Sequence, residues 1–302
     1  MIVDRSLARA TSMRGTLHLH TADDLIGIRA LVDPFLRQVW QSNFRKRFGD
    51  NDEEAVLRAA IELIDSEPMT AGALGKLLKA EFPTAEPLSM TALLQMRETL
   101  IQIPPTRIWG SGHSPILTRI ENWLPPPYER PIGREALVRR YLKAYGPAGV
   151  NDMQIWSRLT KLGKEFEALA DQFVTFTDEE GRTLYDLPDA PRPDAGTPAP
   201  VRFLPLYDNV YLGYDDRRRM LSKATAHLIN MFQAFKPAVL IDGVIDAGWV
   251  ISVKKGAALI EVETCRKLGK REQGEVEKEG LSFLEFMEPE AKSWDVRFAA
   301  AA

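Results

Sequence analysis

A repeated order of short segments constrains the fold of this chain more than any other feature of its sequence. Hydrophobic periodicity predicts three helices and then an apolar strand, at residues 53–64, 71–82, 90–99 and 100–103. About 80 residues later the order returns, with helices predicted at 132–144, 150–159 and 161–171 and a hairpin at 173–186. Three short helices followed by strands are typical of a winged helix, whose second and third helices form a helix-turn-helix unit. The sequence therefore predicts tandem winged helices.

The last third of the chain has a different pattern. It follows a linker rich in proline and alanine at residues 187–200, LPDAPRPDAGTPAP. Beyond it, short strands are predicted around turns at Asp242-Gly243 and Lys255-Gly256, together with a helix near 222–235 and a charged helix at 273–287. This pattern predicts a small C-terminal antiparallel β-barrel, so the predicted fold class is α+β.

Composition limits the class of protein. Of the 302 residues, 45% are hydrophobic and 27% are charged, as in globular proteins, and the formal net charge is −3. The single cysteine, Cys265, excludes an internal disulfide and a cysteine-based zinc site and suits a reducing compartment. No run of residues is long and apolar enough to span a membrane, and no signal-peptide pattern is present. We expect a soluble cytoplasmic protein without a membrane partner.

Residues 13–24, MRGTLHLHTADD, combine two histidines and two aspartates at the border between a predicted strand and a predicted helix. Thr21 and the aspartates that follow it have the chemistry of a helix start. His18 and His20 face the same way on such a strand, which suits a shared metal ion, but a site needs at least one more ligand. Because the helix start explains the aspartates, scaffold or groove-facing histidines are favoured. We predict no metal and no cofactor, and the chain contains no recognisable catalytic motif.

Positive charge is concentrated in local blocks. The blocks are Arg37 with Arg45-Lys46-Arg47, residues 130–143, Arg217-Arg218-Arg219, and Lys254-Lys255 with residues 266–271. Acidic runs at 50–67 and 272–290 offset them. A solvated helix face explains any one block, but several blocks beside two helix-turn-helix units favour a surface that follows the phosphates of nucleic acid.

Four blocks of the sequence point to a known family, namely MRGTLHLHTADD, REALVRRYLKAYGPAGVNDMQIWSRL (134–159), FLPLYDNVYLGYDDRRRML (203–221) and VLIDGVIDAGWVI (239–251). They resemble blocks of the tandem winged-helix DNA glycosylases, the AlkZ-like family that includes azinomycin-resistance and crosslink-repair enzymes. They follow one another in the family's order across nearly the whole chain. The resemblance implies three winged helices and a β-barrel around a concave DNA-binding face. It also implies metal-independent hydrolysis of the N-glycosidic bond of alkylated or crosslinked purines.

One departure from the family concerns catalysis. Family members carry a further segment before the MRGTLHL block, with a Gln-x-Gln hairpin that positions the attacking water, and no Gln-x-Gln occurs among these 302 residues. Either the start of the gene is misplaced or the chain is a shortened, non-catalytic relative. We therefore expect impaired catalysis, and a poorly anchored segment at residues 1–21 because most of its domain would be missing.

The basic blocks and the resemblance together give domain and residue assignments. The predicted domains are residues 1–50, a remnant of the first winged helix; 51–127, the second; 128–198, the third with the linker; and 199–302, the β-barrel. Asp208 and Asn209 match an Asp-Asn pair of the family and are expected to support catalysis. The residues predicted to contact double-stranded DNA, alkylated or not, are Arg14, His18, Arg45, Lys46, Arg47, Arg134, Arg139, Arg140 and Arg217.

Two other functions stay open at this point. One is a winged-helix transcriptional regulator, or a module that binds DNA or protein, without any chemistry. The other is a small-molecule or metal-dependent enzyme built on His18, His20 and Asp208, which stoichiometric bound metal would favour. The sequence predicts neither the lesion preference nor the oligomeric state.

Overall fold

The chain divides into two compact units. The computed structural model describes residues 1–105, 114–126, 132–221, 225 and 236–300. Unit 1 comprises Met1–Ala144 and Met153–Phe176, and unit 2 comprises Tyr145–Asp152 and Thr177–Ala302. The boundaries of the four predicted domains stay predictions. In the described part of the chain, no helix is both long enough and apolar enough to cross a membrane.

A five-stranded antiparallel sheet lies at the centre of unit 1, with the strand order β2-β1-β4-β5-β3. Its strands are β1 (Leu7–Thr11), β2 (Leu17–Thr21), β3 (Met69–Thr70), β4 (Leu100–Ile103) and β5 (Ile116–Arg119). Ala8 and Ala10 of β1 are fully buried in a core with Leu25 and Ile101. The prediction of a poorly anchored segment at residues 1–21 is therefore wrong for β1, which has a partner strand on each side.

Four helices pack in unit 1 around this sheet: α1 (Ala22–Asn43), α2 (Glu53–Ser66), α3 (Ala71–Glu81) and α4 (Pro87–Arg97). The predicted start of α1 is confirmed, since Thr21 Oγ1 accepts a hydrogen bond of 3.2 Å from the backbone N–H of Asp24. The indole of Trp40 is buried on α1 and donates to the carbonyl of Ser89 on α4 at 3.0 Å. This contact joins α1 to α4 within the helical part of unit 1.

The second predicted set of helices is also present. It consists of α5 (Arg134–Tyr145), α6 (Val150–Ser157) and α7 (Gly163–Ala168), followed by the two-stranded sheet of β6 (Val174–Thr177) and β7 (Thr183–Asp186). Tyr141 of α5 is fully buried, with its ring centroid 5.2 Å from that of Trp156 on α6. Helix α7 is shorter than predicted because a separate 3-10 turn, Ala170–Gln172, precedes β6.

Unit 2 contains a second five-stranded sheet, with the order β12-β11-β10-β9-β8. Its elements are β8 (Arg202–Phe203), α8 (Asn209–Leu212), β9 (Ala238–Ile241), β10 (Val244–Lys254), β11 (Ala257–Thr264), α9 (Lys270–Met287) and β12 (Ser293–Ala300). The expected antiparallel β-barrel needs correction. Strands β11 and β12 are parallel, and within the described residues the strand order ends at β8 and β12, so no closed barrel is found. The helix predicted near 222–235 falls outside the described residues.

Candidate nucleic-acid interface

The turn between β1 and β2 holds Arg14 and His18 in a fixed hydrogen-bond arrangement. One guanidinium nitrogen of Arg14 donates to the carbonyl of Trp156 at 2.6 Å, and the other lies 3.1 Å from Nε2 of His18. Nδ1 of His18 lies 2.9 Å from the carbonyl of Thr16. The consistent tautomer has Nδ1–H donating to Thr16 and Nε2 accepting from Arg14. Burial lowers the pKa of His18, and the charge of Arg14 adds to that effect, so the imidazole is neutral.

His20 is more deeply buried than His18, and the two rings are stacked with their centroids 5.6 Å apart. Its Nε2 lies 2.8 Å from the hydroxyl of Ser12, which is fully buried. Burial, followed by the neighbouring His18, lowers the pKa of His20 to about 4. A serine hydroxyl closed off from solvent is no nucleophile, so the pair is a structural contact. Among the described residues no group of three or more His, Cys, Asp or Glu side chains suits a metal ion.

The predicted arginines of α5 each contact another part of unit 1. Arg140 forms a two-point ion pair with Asp24, at 2.6 and 2.7 Å, which lowers the pKa of Asp24 chiefly through the hydrogen bonds. Arg134 pairs with Glu165 and donates to the carbonyl of Thr160 at 2.6 Å. Arg139 hydrogen-bonds to Gln172 and lies 5.8 Å from the ring centroid of Phe173. These guanidinium groups all have intramolecular partners.

The basic segment after α1, Arg45-Lys46-Arg47, is more exposed to solvent than the arginines of α5. Arg45 donates to the carbonyl of Gly49 at 2.6 Å, and its Nε lies 3.3 Å from the carboxylate of Glu53. Arg47 is exposed and lies 4.0 Å from the carboxylate of Glu86. Lys46 is exposed, and no ion pair of its side chain is found in the described part of the chain. Lys46 and Arg47 are therefore the most accessible of the predicted residues.

The predicted residues of unit 2 lie around the short helix α8. Asp208 caps this helix, since its Oδ1 accepts from the backbone N–H of Val210 at 2.8 Å, and its side chain is half-buried. Asn209 is exposed. Nε of Arg217 donates to the carbonyl of Tyr211 at 3.1 Å, and the guanidinium lies 4.8 Å from the centre of the Tyr211 ring.

Comparison with known proteins decides the family. Residues 1–286 match the family model described as DNA glycosylase AlkZ-like. The chain belongs to the AlkZ-like DNA glycosylase family. It is similar in structure to the Streptomyces sahachiroi DNA glycosylase AlkZ, with a TM-score of 0.68 and 21% sequence identity over 98% of this chain and 82% of that chain. No curated protein matches the sequence.

Membership of the AlkZ-like family confirms the resemblance inferred from the four sequence blocks. It supports a function related to DNA glycosylases and implies DNA as the substrate. At 21% identity, the structural similarity shows that the two chains share a fold and carries no residue roles from one to the other. The roles of the individual residues therefore rest on the geometry of this AlkZ-like chain alone.

A buried carboxylate in unit 2 of the AlkZ-like chain is absent from the sequence-based assignments. Asp152 is 5% exposed and accepts hydrogen bonds from the backbone N–H groups of Gly149, Asp215 and Asp216, at 2.8, 2.9 and 3.3 Å. It thereby ties the start of α6 to the Asp-Asp-Arg segment of the third family-like block. The local signal is an aspartate in the first turn of a predicted helix, but its long-range partners are not visible in the sequence.

Three cations of unit 1 were also missed. Arg158, Lys161 and Lys164 lie three residues apart around the connection between α6 and α7, and all three are exposed. They form no continuous basic run, so the basic blocks of the sequence do not include them. In the folded chain Leu159 and Leu162, which lie between these cations, are buried, and the three charged side chains face solvent.

Proposed function

We propose that this AlkZ-like chain binds duplex DNA through tandem winged helices and serves the repair of alkylated or crosslinked purines by base excision. The order α2, β3, α3, α4, β4, β5, with β5 pairing antiparallel to both β3 and β4, carries the proposal. It has the order of a winged helix, with α3 and α4 as the helix-turn-helix pair. The second set has the same order, because Ala148, between α5 and α6, pairs with Tyr185 of β7.

The proposed DNA-contacting residues divide by their surroundings. Arg45, Lys46 and Arg47 present charge after α1 and are proposed to contact phosphates directly. Arg14, His18, Arg134, Arg139, Arg140 and Arg217 also stay in the proposed DNA-contacting set. Like Arg45 and Arg47, each of them has a partner inside the chain. Five of these six residues are arginines, each with five N–H donors, so an intramolecular contact leaves donors available for a phosphate. Both ring nitrogens of His18 are already in hydrogen bonds, so His18 would act by positioning Arg14. In these residues, the internal contacts would hold the side chain in one position.

Hydrolysis of an N-glycosidic bond sets stricter requirements than binding. The reaction develops positive charge on the sugar, so it needs a positioned water and negative or polar groups close to the anomeric carbon. The family's Gln-x-Gln pair is not among these 302 residues, and Asp208 with Asn209 is our candidate for a supporting role. We propose that the 302 residues bind DNA but release alkylated base slowly.

Two measurements on the purified chain test this proposal. Fluorescence anisotropy with a labelled duplex, at several salt concentrations, should show binding that weakens steeply as salt rises and is similar for unrelated sequences. Incubation with alkylated duplex DNA should release little 7-methylguanine. Absence of binding at low salt would contradict the proposed DNA-binding function. Robust base release would contradict the proposed impairment and would require a water-positioning group other than the glutamine pair.

A non-enzymatic winged-helix regulator is the second candidate, because no Gln-x-Gln occurs among these 302 residues. A regulator reads base edges and discriminates strongly between its operator and other sequences. Selection of a preferred site from a random duplex library, with no preference for alkylated DNA, would support the regulator. Similar affinity for all sequences, or a preference for alkylated duplexes, would support the glycosylase-related function.

A further inference from the structure

The connection between α6 and α7 presents three cations on one short stretch, residues 158–164. Arg158, Lys161 and Lys164 are exposed, and no ion pair or side-chain hydrogen bond of the three is found within the described residues. The two leucines between them point the other way, since Leu159 is 6% exposed and Leu162 is fully buried. The three exposed cations therefore form a patch of positive charge, and the two buried leucines hold this stretch of backbone against the core of unit 1. We call residues 158–164 the α6–α7 loop.

Hydrogen bonds fix the backbone of the α6–α7 loop at three points. The N–H of Leu159 donates to the hydroxyl of Ser157 at 3.2 Å, and the N–H of Leu162 donates to Oε1 of Gln154 at 3.0 Å. The carbonyl of Thr160 accepts from Arg134 at 2.6 Å. A binding surface held in this way loses little conformational entropy when a partner binds, so more of the contact energy appears as affinity.

The backbone of the α6–α7 loop is also strained where two of the cations stand. Arg158 has φ 63° and Lys161 has φ 59°, in the left-handed region that residues other than glycine rarely adopt. Such a conformation costs on the order of 1 kcal/mol per residue and persists only where surrounding contacts impose it. Here the buried leucines and the three hydrogen bonds impose it, and the result is that the charged side chains face solvent.

Local carboxylates do not cancel this charge. Glu165, next to Lys164, is already paired with Arg134. With Arg134 included, the group carries four positive charges against the two carboxylates Glu165 and Glu167. Other arginines of unit 1 are in a different situation: Arg119, for example, lies within 3.3 Å of the carboxylates of Asp65, Glu98 and Glu121. The α6–α7 loop therefore keeps a net positive charge that a polyanion can bind.

We infer that Arg158, Lys161 and Lys164 contact the phosphates of duplex DNA together, as a rigid phosphate-binding loop. The inference rests on the proposed DNA-binding function and deepens it, because it names a binding surface that the basic blocks of the sequence do not include. Phosphate contacts position a protein on DNA without reading its sequence. The loop is thus expected to contribute affinity and orientation, and not the choice of lesion.

The dependence of DNA affinity on salt tests this inference. Each phosphate contact contributes about 0.9 to the slope of log K against log salt concentration. The variant Arg158→Gln/Lys161→Gln/Lys164→Gln should lower the magnitude of that slope by roughly 2.7 and weaken binding at low salt at least about tenfold. The matched control is Arg297→Gln/Lys278→Gln/Lys292→Gln, which removes the same charge from exposed positions of unit 2 that lie outside the basic blocks and the proposed winged helices. The control should keep a slope close to that of the original chain.

Gln154→Leu tests the fixed geometry of the α6–α7 loop without a change of charge. It removes the acceptor of the Leu162 N–H, so binding should weaken by a few-fold through added entropy cost, with the salt slope unchanged. Circular dichroism checks that each variant is folded. If the triple variant fails to fold, the single substitutions Lys161→Gln and Lys164→Gln at exposed positions should each lower the slope by about 0.9.

The outcomes separate the two proposals. If the original chain binds no duplex at any salt concentration, the proposed function fails and this inference fails with it. If the original chain binds but the loop variant behaves like the control, the phosphate-binding loop alone is wrong. A loop variant with a reduced slope, beside an unchanged control, supports both.

Discussion

Ser12, just after β1, and His20 on β2 are joined by a hydrogen bond of 2.8 Å that is closed off from solvent. Burial is the main reason why the pKa of His20 falls to about 4, and the stacked His18 lowers it further. In an unfolded chain the same imidazole takes up a proton near pH 6.5. Between about pH 4 and pH 6.5 the folded and unfolded states therefore bind different numbers of protons at His20, and the stability of unit 1 depends on pH in that range.

The first prediction follows from the sign of that difference. Between pH 6.5 and about 4 the unfolded state binds more protons at His20 than the folded state, so stability is lost as pH falls through this window. From pH 7 to pH 5 the loss from His20 should be about 2 kcal/mol, measured by urea unfolding. His20→Asn does not titrate and keeps a polar partner for Ser12, so its loss should be clearly smaller. Equal losses in the two proteins would show that His20 is not the responsible group.

The start of α1 shows which features a sequence predicts well. Thr21 as the cap and the two aspartates after it were readable from residues within one helical turn, and the structure has them as expected. The anchoring of residues 1–21 was not readable, because β1 gains its second neighbour from Ile101 on β4, far along the chain. An edge that looks uncovered in the sequence can be covered by any later strand, and periodicity carries no information about which one does so.

The parallel pairing of β11 and β12 is a second case. The sequence does contain the signal, since a predicted helix lies between two predicted strands, and a crossover helix is what joins parallel neighbours. Helix α9 makes that crossover, and the pairing then runs in register from Ala257 with Ser293 to Thr264 with Ala300. The tight turns at Asp242 and Lys255 pointed to antiparallel hairpins and are correct for the β9–β10 and β10–β11 pairs. The expectation of antiparallel pairing was wrong only for β11 and β12, which α9 connects.

The candidate site was harder to predict than the fold. Basic residues are visible in the sequence, but their partners are not, and several of the chosen arginines form ion pairs with distant carboxylates such as Asp24 and Glu165. Conversely, Arg158 and Lys161 are exposed because their backbone is in the left-handed region, and the sequence does not predict this conformation. Charge patterning thus locates cations, and only the folded chain shows which of them face solvent without a carboxylate beside them.

The second prediction concerns Asp152, the buried carboxylate with three backbone donors. Asp152→Ala leaves those N–H groups without their acceptor in a site closed to water, so we expect a loss of about 3 kcal/mol in unfolding free energy. Asp152→Asn keeps one acceptor oxygen and should lose less. Asp215→Ala, at an exposed neighbouring position, serves as the control and should change stability by less than about 0.5 kcal/mol. A similar small effect for Asp152→Ala would mean that water satisfies these donors.

The third prediction concerns the ion pair between Asp24 and Arg140. The Arg140 side chain is 50% exposed, so solvent screens the pair, although its two-point geometry is favourable. A double-mutant cycle with Asp24→Asn and Arg140→Gln should give a coupling energy of about 0.5–1 kcal/mol at low salt, falling as salt is added. The cycle is needed because Asp24 also interacts with the positive end of α1. A coupling energy of zero at low salt would show that the pair is not formed in solution.

The last prediction separates two roles of Asp208. Its carboxylate caps α8, and asparagine is an equally good cap, so Asp208→Asn removes the charge while keeping the cap, whereas Asp208→Ala removes both. We expect Asp208→Ala to cost about 1 kcal/mol of stability and Asp208→Asn to cost less than about 0.5 kcal/mol. If the carboxylate also stabilises the cationic sugar, Asp208→Asn should lower the residual rate of 7-methylguanine release at least about tenfold, roughly 1.4 kcal/mol of barrier. DNA affinity measured in parallel distinguishes a slower reaction from weaker binding. An unchanged rate in Asp208→Asn, beside reduced stability in Asp208→Ala, would restrict Asp208 to its structural role at the start of α8.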